Sequence, residues 1–350
     1  MSIAVPLDRL GWSACYSQQL TLEDLGAGFP ARVCSVQRSQ LTVLSERGSL
    51  DVVVPPRLAA GSIAIGDWLL VEHEAPRVLR VLERRSLISR MAAGVEQRMQ
   101  AIAANLDTLF VVTSCNDDFN LSRLERYFTV ARHGQVEPVI VLTKADLCAD
   151  VESFAAQARS IAGNIAVLAL NATEHASADA LAPWLARGQT VAFAGSSGVG
   201  KSTLVNALLA QEAQATSAIR EHDAKGRHTT TSRQMFALPS GAWVMDTPGM
   251  RELKLGSMEA AVSTVFDDIE ALARDCRFRD CQHRDDAGCA LHAAVADGRL
   301  DARRLSSYQK LQREAERASQ SVRERRAIDR RWGRMHRVTL KQRGPGTSRE

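Results

Sequence analysis

Residues 195–203, GSSGVGKST, carry the spacing G-x-x-x-x-G-K-[ST], which grips phosphate. Gly195, Gly198 and Gly200 let backbone N–H groups turn inward around phosphate oxygens, with Ser196, Ser197 and Val199 completing the loop. Lys201 supplies a cation for the β- and γ-phosphates, Ser202 a hydroxyl for Mg²⁺, and Thr203 follows at the same mouth. An apolar stretch, TVAFA, precedes the loop and KSTLVNALLA follows it. The phosphates would therefore sit at a helix N-terminus, where unpaired N–H groups and the helix dipole favour anions. DTPG (246–249) closes another apolar stretch: Asp246 can hold Mg²⁺ through water, and the Gly249 N–H can sense a γ-phosphate.

A second constellation reads a base. TKAD (143–146) ends the apolar run PVIVL. Asp146 can accept hydrogen bonds from guanine N1–H and the 2-amino group, a donor pair that adenine lacks, so GTP is selected over ATP. Lys144 packs over the ring and Ala145 separates the two. Thr143 stands where an N-K-x-D motif has Asn, and the expectation is a looser tie to the phosphate loop. LALNAT (168–173) offers the Ala172 N–H to guanine O6. The order is unusual. Base readers precede the phosphate loop, and DTPG comes last, giving G4-G5-G1-G2-G3. Chain ends of a domain often lie close together, so old termini can be joined and a new break opened. TEHASADALAPWLARGQ (173–189) would be the join, and whatever follows DTPG is tethered to the segment that moves on hydrolysis.

The water-orienting Gln that often follows D-x-x-G is Met250 here, whose thioether cannot do that work. KGRHTTT (225–231) offers replacements. Thr230, or next to it Thr229, would close on Mg²⁺ and the γ-phosphate, and His228 can orient or polarise water as the catalytic residue.

CRFRDCQHRDDAGC (276–289) places Cys276, Cys281, His283 and Cys289 at C-x4-C-x-H-x5-C. Three thiolates and one imidazole close a tetrahedron on Zn²⁺ with no open position, so this zinc would be structural. His292 falls on a helix beyond. The other cysteines, Cys15, Cys34, Cys115 and Cys148, are scattered; an odd total of seven argues against a disulfide framework.

These residues need elements to position them. ARVCSV, LTVLS, LDVVV, DWLLVE and RVLRVLE, between residues 29 and 88, read as five short strands of a small barrel such as an OB-fold. Continuous apolar runs at 108–114, 138–144, 166–170 and 190–195, separated by helical stretches, predict a parallel sheet covered on both faces. One helix is predicted to open at Ser122 with Glu125 as a capping box, and residues 234–249 to form a hairpin around Pro-Ser-Gly. The division expected is an extension (1–28), barrel (29–88), permuted GTPase domain (89–255), helical zinc-binding domain (256–330) and a basic tail (331–350) that is partly disordered.

Net charge is +4 over 350 residues, yet residues 299–350 hold sixteen Lys/Arg against six Asp/Glu. A basic end on an acidic body suggests an anionic partner, nucleic acid first, or a solvated helix face with a frayed tail. No apolar run reaches membrane length and no signal peptide is read, so the cytoplasm is expected.

With GDW (66–68), AANLD (103–107), TKADL, GSSGVGKSTL, GRHTTT and the Cys/His cluster, residues 30–320 resemble the RsgA (YjeQ) family of circularly permuted GTPases. The resemblance implies a multidomain chain: N-terminal OB-fold, central α/β P-loop GTPase and a mostly α zinc domain. It assigns the water-orienting role to His228 and covers all four zinc ligands. It further implies GTP hydrolysis to GDP stimulated by the small (30S) ribosomal subunit, late maturation of that subunit, and rRNA contacts through the barrel and the zinc domain. The helix 303–326 would present its basic face to RNA. DNA and membranes are not expected partners, and a monomer is. Two other readings stay open: an RNA-binding module with a non-catalytic nucleotide site, and a permuted GTPase acting on the large subunit.

Overall fold

A computed structural model describes residues 5–37, 41–55, 58, 63–91, 99–174, 176–215, 233–246, 258–284 and 286–319. Two short helices, α1 (Ala14–Ser17) and α2 (Leu22–Ala27), lead in. Thr21 caps α2 reciprocally, its hydroxyl accepting the Asp24 N–H at 3.1 Å while its own N–H donates to the Asp24 carboxylate at 2.9 Å.

Strands β1 (Gly28–Val36), β2 (Leu41–Ser45), β3 (Gly48–Val52), β4 (Trp68–Glu72) and β5 (Val78–Val81) then form the barrel. β1 pairs antiparallel with both β2 and β4; β2 continues to β3, and β4 to β5. A parallel bridge closes the circuit, Val53 N–H donating to Pro76 O (2.7 Å) and Val78 N–H to Val53 O (3.0 Å). Alternate residues point inward, so Ala31, Val33, Leu41, Val43, Leu69, Val71 and Val78 make a separate apolar core.

The hairpin of β6 (Leu87–Met91) and β7 (Met99–Ala104) leads into the nucleotide sheet. Its elements in chain order are β8 (Thr108–Ser114), α3 (Leu121–His133), β9 (Glu137–Thr143), α4 (Val151–Ala162), β10 (Val167–Ala169), α5 (Ala176–Leu181), β11 (Thr190–Ala194), α6 (Lys201–Ala215), β12 (Arg233–Ala237) and β13 (Trp243–Asp246). Laterally the order is β10-β9-β8-β11-β13-β12, parallel except for antiparallel β12. Every residue of β8 and β11 is buried, because helices cover both faces. Side-chain alternation sorts those runs into two cores. Leu109, Val111, Ile140, Leu142, Ala192 and Ala194 face the α3/α4 side. Phe110, Val112, Val139, Val141, Val191 and Phe193 face α5 and α6. The Pro-Ser-Gly hairpin forms as predicted.

Barrel and nucleotide sheet are continuous: β12 pairs with β1 through Ser35–Gln234 and Val36–Arg233. The GDW and AANLD motifs supply the clamp. Gly66 sits at φ +84°, where a Cβ would meet the Ala104 carbonyl oxygen at 2.2 Å, so no other residue fits. Asn105 Nδ2 donates to Gly66 O at 2.9 Å, and the Thr190 N–H donates to Asp107 at 2.7 Å. Arg32, 1% exposed, donates to Leu10 O, to Asn105 O (3.1 Å) and to Thr190 Oγ1 (2.8 Å), tying the extension, barrel and sheet together. Burial pushes its guanidinium down to about 10, so it stays charged at neutral pH.

The C-terminal helices are α7 (Glu259–Val265), α8 (Asp267–Ala273), α9 (Ala290–Ala296) and α10 (Ala302–Ser319). Of these, α7 and α10 pack on α3, and here one expectation is corrected. Helix α3 does not open at Ser122: Asn120 is its cap, accepting the Arg123 N–H at 2.9 Å. Glu125 is unavailable for a capping box because its carboxylate, fully buried, pairs with Arg303 (3.0 Å) and Arg304 (2.9 Å). Arg304 also binds Asp268 (2.7 Å), and Arg126 binds Glu314 (2.8 Å). Thus Arg303 and Arg304, at the start of the expected RNA-facing helix, are paired with acidic side chains of the fold. A buried carboxylate is tolerable only with such partners, since stripping its hydration costs several kcal/mol, about what good pairing restores.

Candidate functional site

Phosphate loop and base loop lie at the same edge of the sheet. β11 and β9 flank β8, and the loops leave their carboxyl ends, where open α/β sheets place ligands. The two segments open into one cleft of about 380 Å³. Its base side carries Thr143, Lys144, Asp146 and Ala172; its phosphate side carries Ser197, Gly198, Gly200, Lys201, Ser202 and Thr203. Residues 55 positions apart in the chain, Asp146 and Lys201, therefore face one volume. Ala145, Gly195, Ser196 and Val199 do not line it; Val199 is buried beneath, and Ser196 is held from the side.

The local causes are visible. Gly195 adopts φ +144° with its Cα against β8: a Cβ there would sit 2.1 Å from the Val112 carbonyl oxygen. Helix α6 begins at Lys201, so its first N–H groups open on the cleft. The Lys201 ammonium is held by the carbonyls of Gly195, at 2.9 Å, and Ser196. Lys144 takes the left-handed conformation (φ 57°), and a single 3-10 turn, Ala145–Leu147, follows; that reversal leaves Asp146 exposed at the cleft wall. Ala172 is buried directly after the β10 segment.

The Thr143 expectation is reversed. Its hydroxyl, fully buried, lies 2.6 Å from Val199 O of the phosphate loop and 3.2 Å from Thr113 O. The shorter side chain ties the two loops instead of loosening them. Removing the hydroxyl in Thr143→Ala is expected to leave the buried Val199 carbonyl without its partner, a loss of about 1–3 kcal/mol. Thermal melting should fall and GDP affinity should weaken about tenfold, with Thr143→Ser restoring both. Equal losses in the serine variant would show that the methyl, not the hydroxyl, matters.

Asp246 ends β13 and is exposed. The parallel register pairs Ala192 with Met245, so Asp246 lies one residue further toward the edge from which the phosphate loop departs. Ser202 lines the cleft, whereas Asp246 is not among its lining residues. His228, Thr229, Thr230, Gly249 and Met250 lie outside the described residues.

The second constellation is compact. The ligand atoms of Cys276, Cys281, His283 and Cys289 all lie within 4.8 Å of one another. His283 Nδ1 stands 3.5 Å from Cys276 Sγ and 3.6 Å from Cys289 Sγ. A tetrahedral zinc ion, with bonds of about 2.3 Å to sulfur and about 2.0 Å to nitrogen, would separate such atoms by about 3.5 Å. The donor set fits zinc. Burial holds His283 below the ordinary imidazole value, favouring the neutral ring that a metal needs. The Ala290 N–H donates to Cys276 Sγ at 3.3 Å, an outer contact that orients the ligand. His292, left out on sequence, turns instead to the His283 carbonyl (3.2 Å).

Sequence reasoning missed what supports the phosphate loop from α3. Arg123 donates to the Ser196 hydroxyl and to Asp118, and the Tyr127 hydroxyl meets the Gly195 backbone. An Arg and a Tyr four residues apart share a helix face, but the spacing says nothing of what that face meets.

Comparisons with known proteins agree with this geometry. The RsgA GTPase family model matches residues 81–256, half of the chain. A model for ABC transporters matches residues 181–336, a stretch that contains the phosphate loop but none of residues 143–146. The chain is 47% identical over 340 residues to the small ribosomal subunit biogenesis GTPase RsgA 2 of Vibrio parahaemolyticus, covering 97% of this chain and 94% of that protein. It is 47% identical over 308 residues to the small ribosomal subunit biogenesis GTPase RsgA of Mesorhizobium japonicum, covering 87% and 88%. Among solved structures, YjeQ from Thermotoga maritima matches 82% of this chain and 98% of its own, with a TM-score of 0.61 at 24% identity. YloQ, described as a circularly permuted GTPase, matches 83% and 96% with a TM-score of 0.56 at 23% identity. Those two likenesses speak for the fold alone.

Proposed function

The chain belongs to the RsgA GTPase family, and on that premise we propose that it hydrolyses GTP to GDP and phosphate during late maturation of the small ribosomal subunit. The observation that carries this is the shared cleft: a purine-selecting carboxylate and a phosphate-gripping lysine, in permuted chain order, face one nucleotide-sized space.

In this reading Asp146 takes the guanine N1–H and 2-amino group, Lys144 covers the ring, and the Ala172 N–H meets O6. Inward-facing N–H groups of residues 195–200 and the α6 N-terminus hold the β-phosphate, and Lys201 leaves its loop carbonyls for phosphate oxygens. Ser202, Thr230 and Asp246 would hold the Mg²⁺ that accompanies GTP, which would neutralise phosphate charge. Gly249 senses the γ-phosphate. His228 orients a water against the γ-phosphorus; the new P–O bond forms in line as the β–γ bridging bond breaks, and GDP leaves with the bridging oxygen. Four ligands and no open position make the Cys276, Cys281, His283, Cys289 site structural, with one Zn²⁺.

The barrel closes in the order β1-β2-β3-β5-β4-β1, which supports an OB-fold. With the zinc domain it would contact rRNA, leaving DNA and membranes aside, in a chain acting as a cytoplasmic monomer. The test is GTP turnover with small subunits, large subunits or neither. Stimulation by small subunits is expected, and His228→Ala should keep GTP affinity while losing about a hundredfold in turnover. Stimulation by large subunits alone would redirect the partner; full turnover in the variant would remove His228 from the chemistry.

A further inference from the structure

The phosphate loop is gripped on three sides. β8 meets Gly195 from below, and Thr143 meets Val199 at its far end. The third grip comes from the first turns of α3. Arg123 Nη1 lies 3.0 Å from each carboxylate oxygen of Asp118, 3.3 Å from the Asp118 carbonyl, and against the Ser196 hydroxyl. Asp118 is itself fixed, its N–H donating at 3.0 Å to Asn116 Oδ1, which also takes the Ser114 hydroxyl at 2.7 Å at the end of β8. One turn along α3, buried Tyr127 sets its hydroxyl against the Gly195 backbone. The opposite face of α3 is locked to α10 through Glu125, so the helix is a firm platform.

We propose that Arg123 is a positioning residue for nucleotide binding, acting through the Ser196 hydroxyl to hold the phosphate loop in its gripping shape. This rests on the GTPase reading above. A phosphate loop binds through the directions of consecutive N–H groups. Ser196 lies between Gly195, pinned beneath, and Ser197, which lines the cleft. Fixing its side chain restricts rotation of both adjoining peptides. A guanidinium suits the task, because the two N–H groups of Nη1 can serve a carboxylate and a hydroxyl together, with charge-assisted bonds. Arg123 touches the loop and not the space for nucleotide, so its loss should weaken GDP and GTP alike and leave the chemical step on bound GTP intact.

The experiment uses the full chain. Arg123→Ala is compared with the parent for GDP and GTP affinity, by titration with a fluorescent nucleotide, and for single-turnover hydrolysis at saturation. Both affinities are expected to fall about tenfold, with the single-turnover rate at the parent's value. Ser196→Ala should behave alike. The double variant should be no worse than either single one, because both remove the same contact. Arg123→Lys should recover part of the affinity. Asp118→Asn, which frees Arg123 without altering loop or helix, repeats the test should Arg123→Ala fail to fold. Unchanged affinities, or additive losses in the double variant, would overturn the proposal. A loss of rate at unchanged affinity would also overturn it, by making Arg123 a group of the transition state. Failure of the parent to bind or turn over GTP would instead sink the GTPase reading, so the two failures are told apart.

Discussion

Asp146→Asn is expected to weaken GTP binding by on the order of a thousandfold and to create affinity for xanthosine triphosphate. A carboxylate accepts from both N1–H and the 2-amino group of guanine. An amide offers one acceptor and one donor, so one contact is lost and an N–H is set against an N–H. Xanthine carries an oxygen at that carbon, and the amide donor then finds an acceptor. The fold should not respond, because Asp146 is exposed at the tip of a 3-10 turn. Loss of activity without a drop in melting temperature is therefore the expected pattern, with turnover recovered on xanthosine triphosphate. Unchanged GTP affinity would place the base elsewhere and break the link between the two halves of the cleft.

Removing metal from the Cys276, Cys281, His283, Cys289 cluster is expected to melt residues 274–289 while leaving GDP binding in place. Between the end of α8 at Ala273 and the start of α9 at Ala290, no described residue is in a helix or strand. Order there depends on four side chains meeting at one point. Zinc binding to such sites is worth about 10–16 kcal/mol at neutral pH, far more than a loop of this length can gather from contacts of its own. Helices α7, α9 and α10 differ, since Val262, Leu291, Ala294, Leu305, Tyr308 and Leu311 bury into the same apolar core as α3. Hence chelation should loosen the loop before it frees α7, α9 or α10. Hydrogen exchange or limited proteolysis with and without chelator reports this directly, beside a metal assay expecting one zinc per chain. A loop equally protected without metal would show that the cluster is not what orders it.

How much of this was legible beforehand divides cleanly by residue. The phosphate loop could be read because its chemistry is local: glycines, lysine and hydroxyl within eight positions, between a strand and a helix. The clustering of Cys276, Cys281, His283 and Cys289 was legible for the same reason. The two sheet cores followed from continuous apolar runs, since strands buried on both faces need no polar alternation. The helix start at Ser122 was misread because Ser122 and Glu125 have the right spacing for a capping box, and spacing cannot reveal that Arg303 and Arg304, almost 180 positions on, claim the carboxylate. Asn120, an equally good cap, was already in place. Likewise the basic count near the C-terminus could not separate arginines facing solvent from arginines spent on Glu125 and Asp268.

By itself, then, the sequence determined which chemistry to expect: a carboxylate suited to read guanine, a loop with phosphate-binding spacing and a Cys/His cluster able to hold a metal, each encoded in a short stretch whose geometry neighbouring peptide bonds impose. Tertiary structure alone decided how they are joined. It placed Asp146 and Lys201 on one cleft, made the Thr143 hydroxyl a tie to Val199, buried Glu125 between two arginines and set Arg123 against Ser196. Those outcomes depend on which surfaces meet when strands 50 or more positions apart pair and helices dock across them. Such long-range contacts are fixed by burial and register over the whole chain, and no short window of residues contains them.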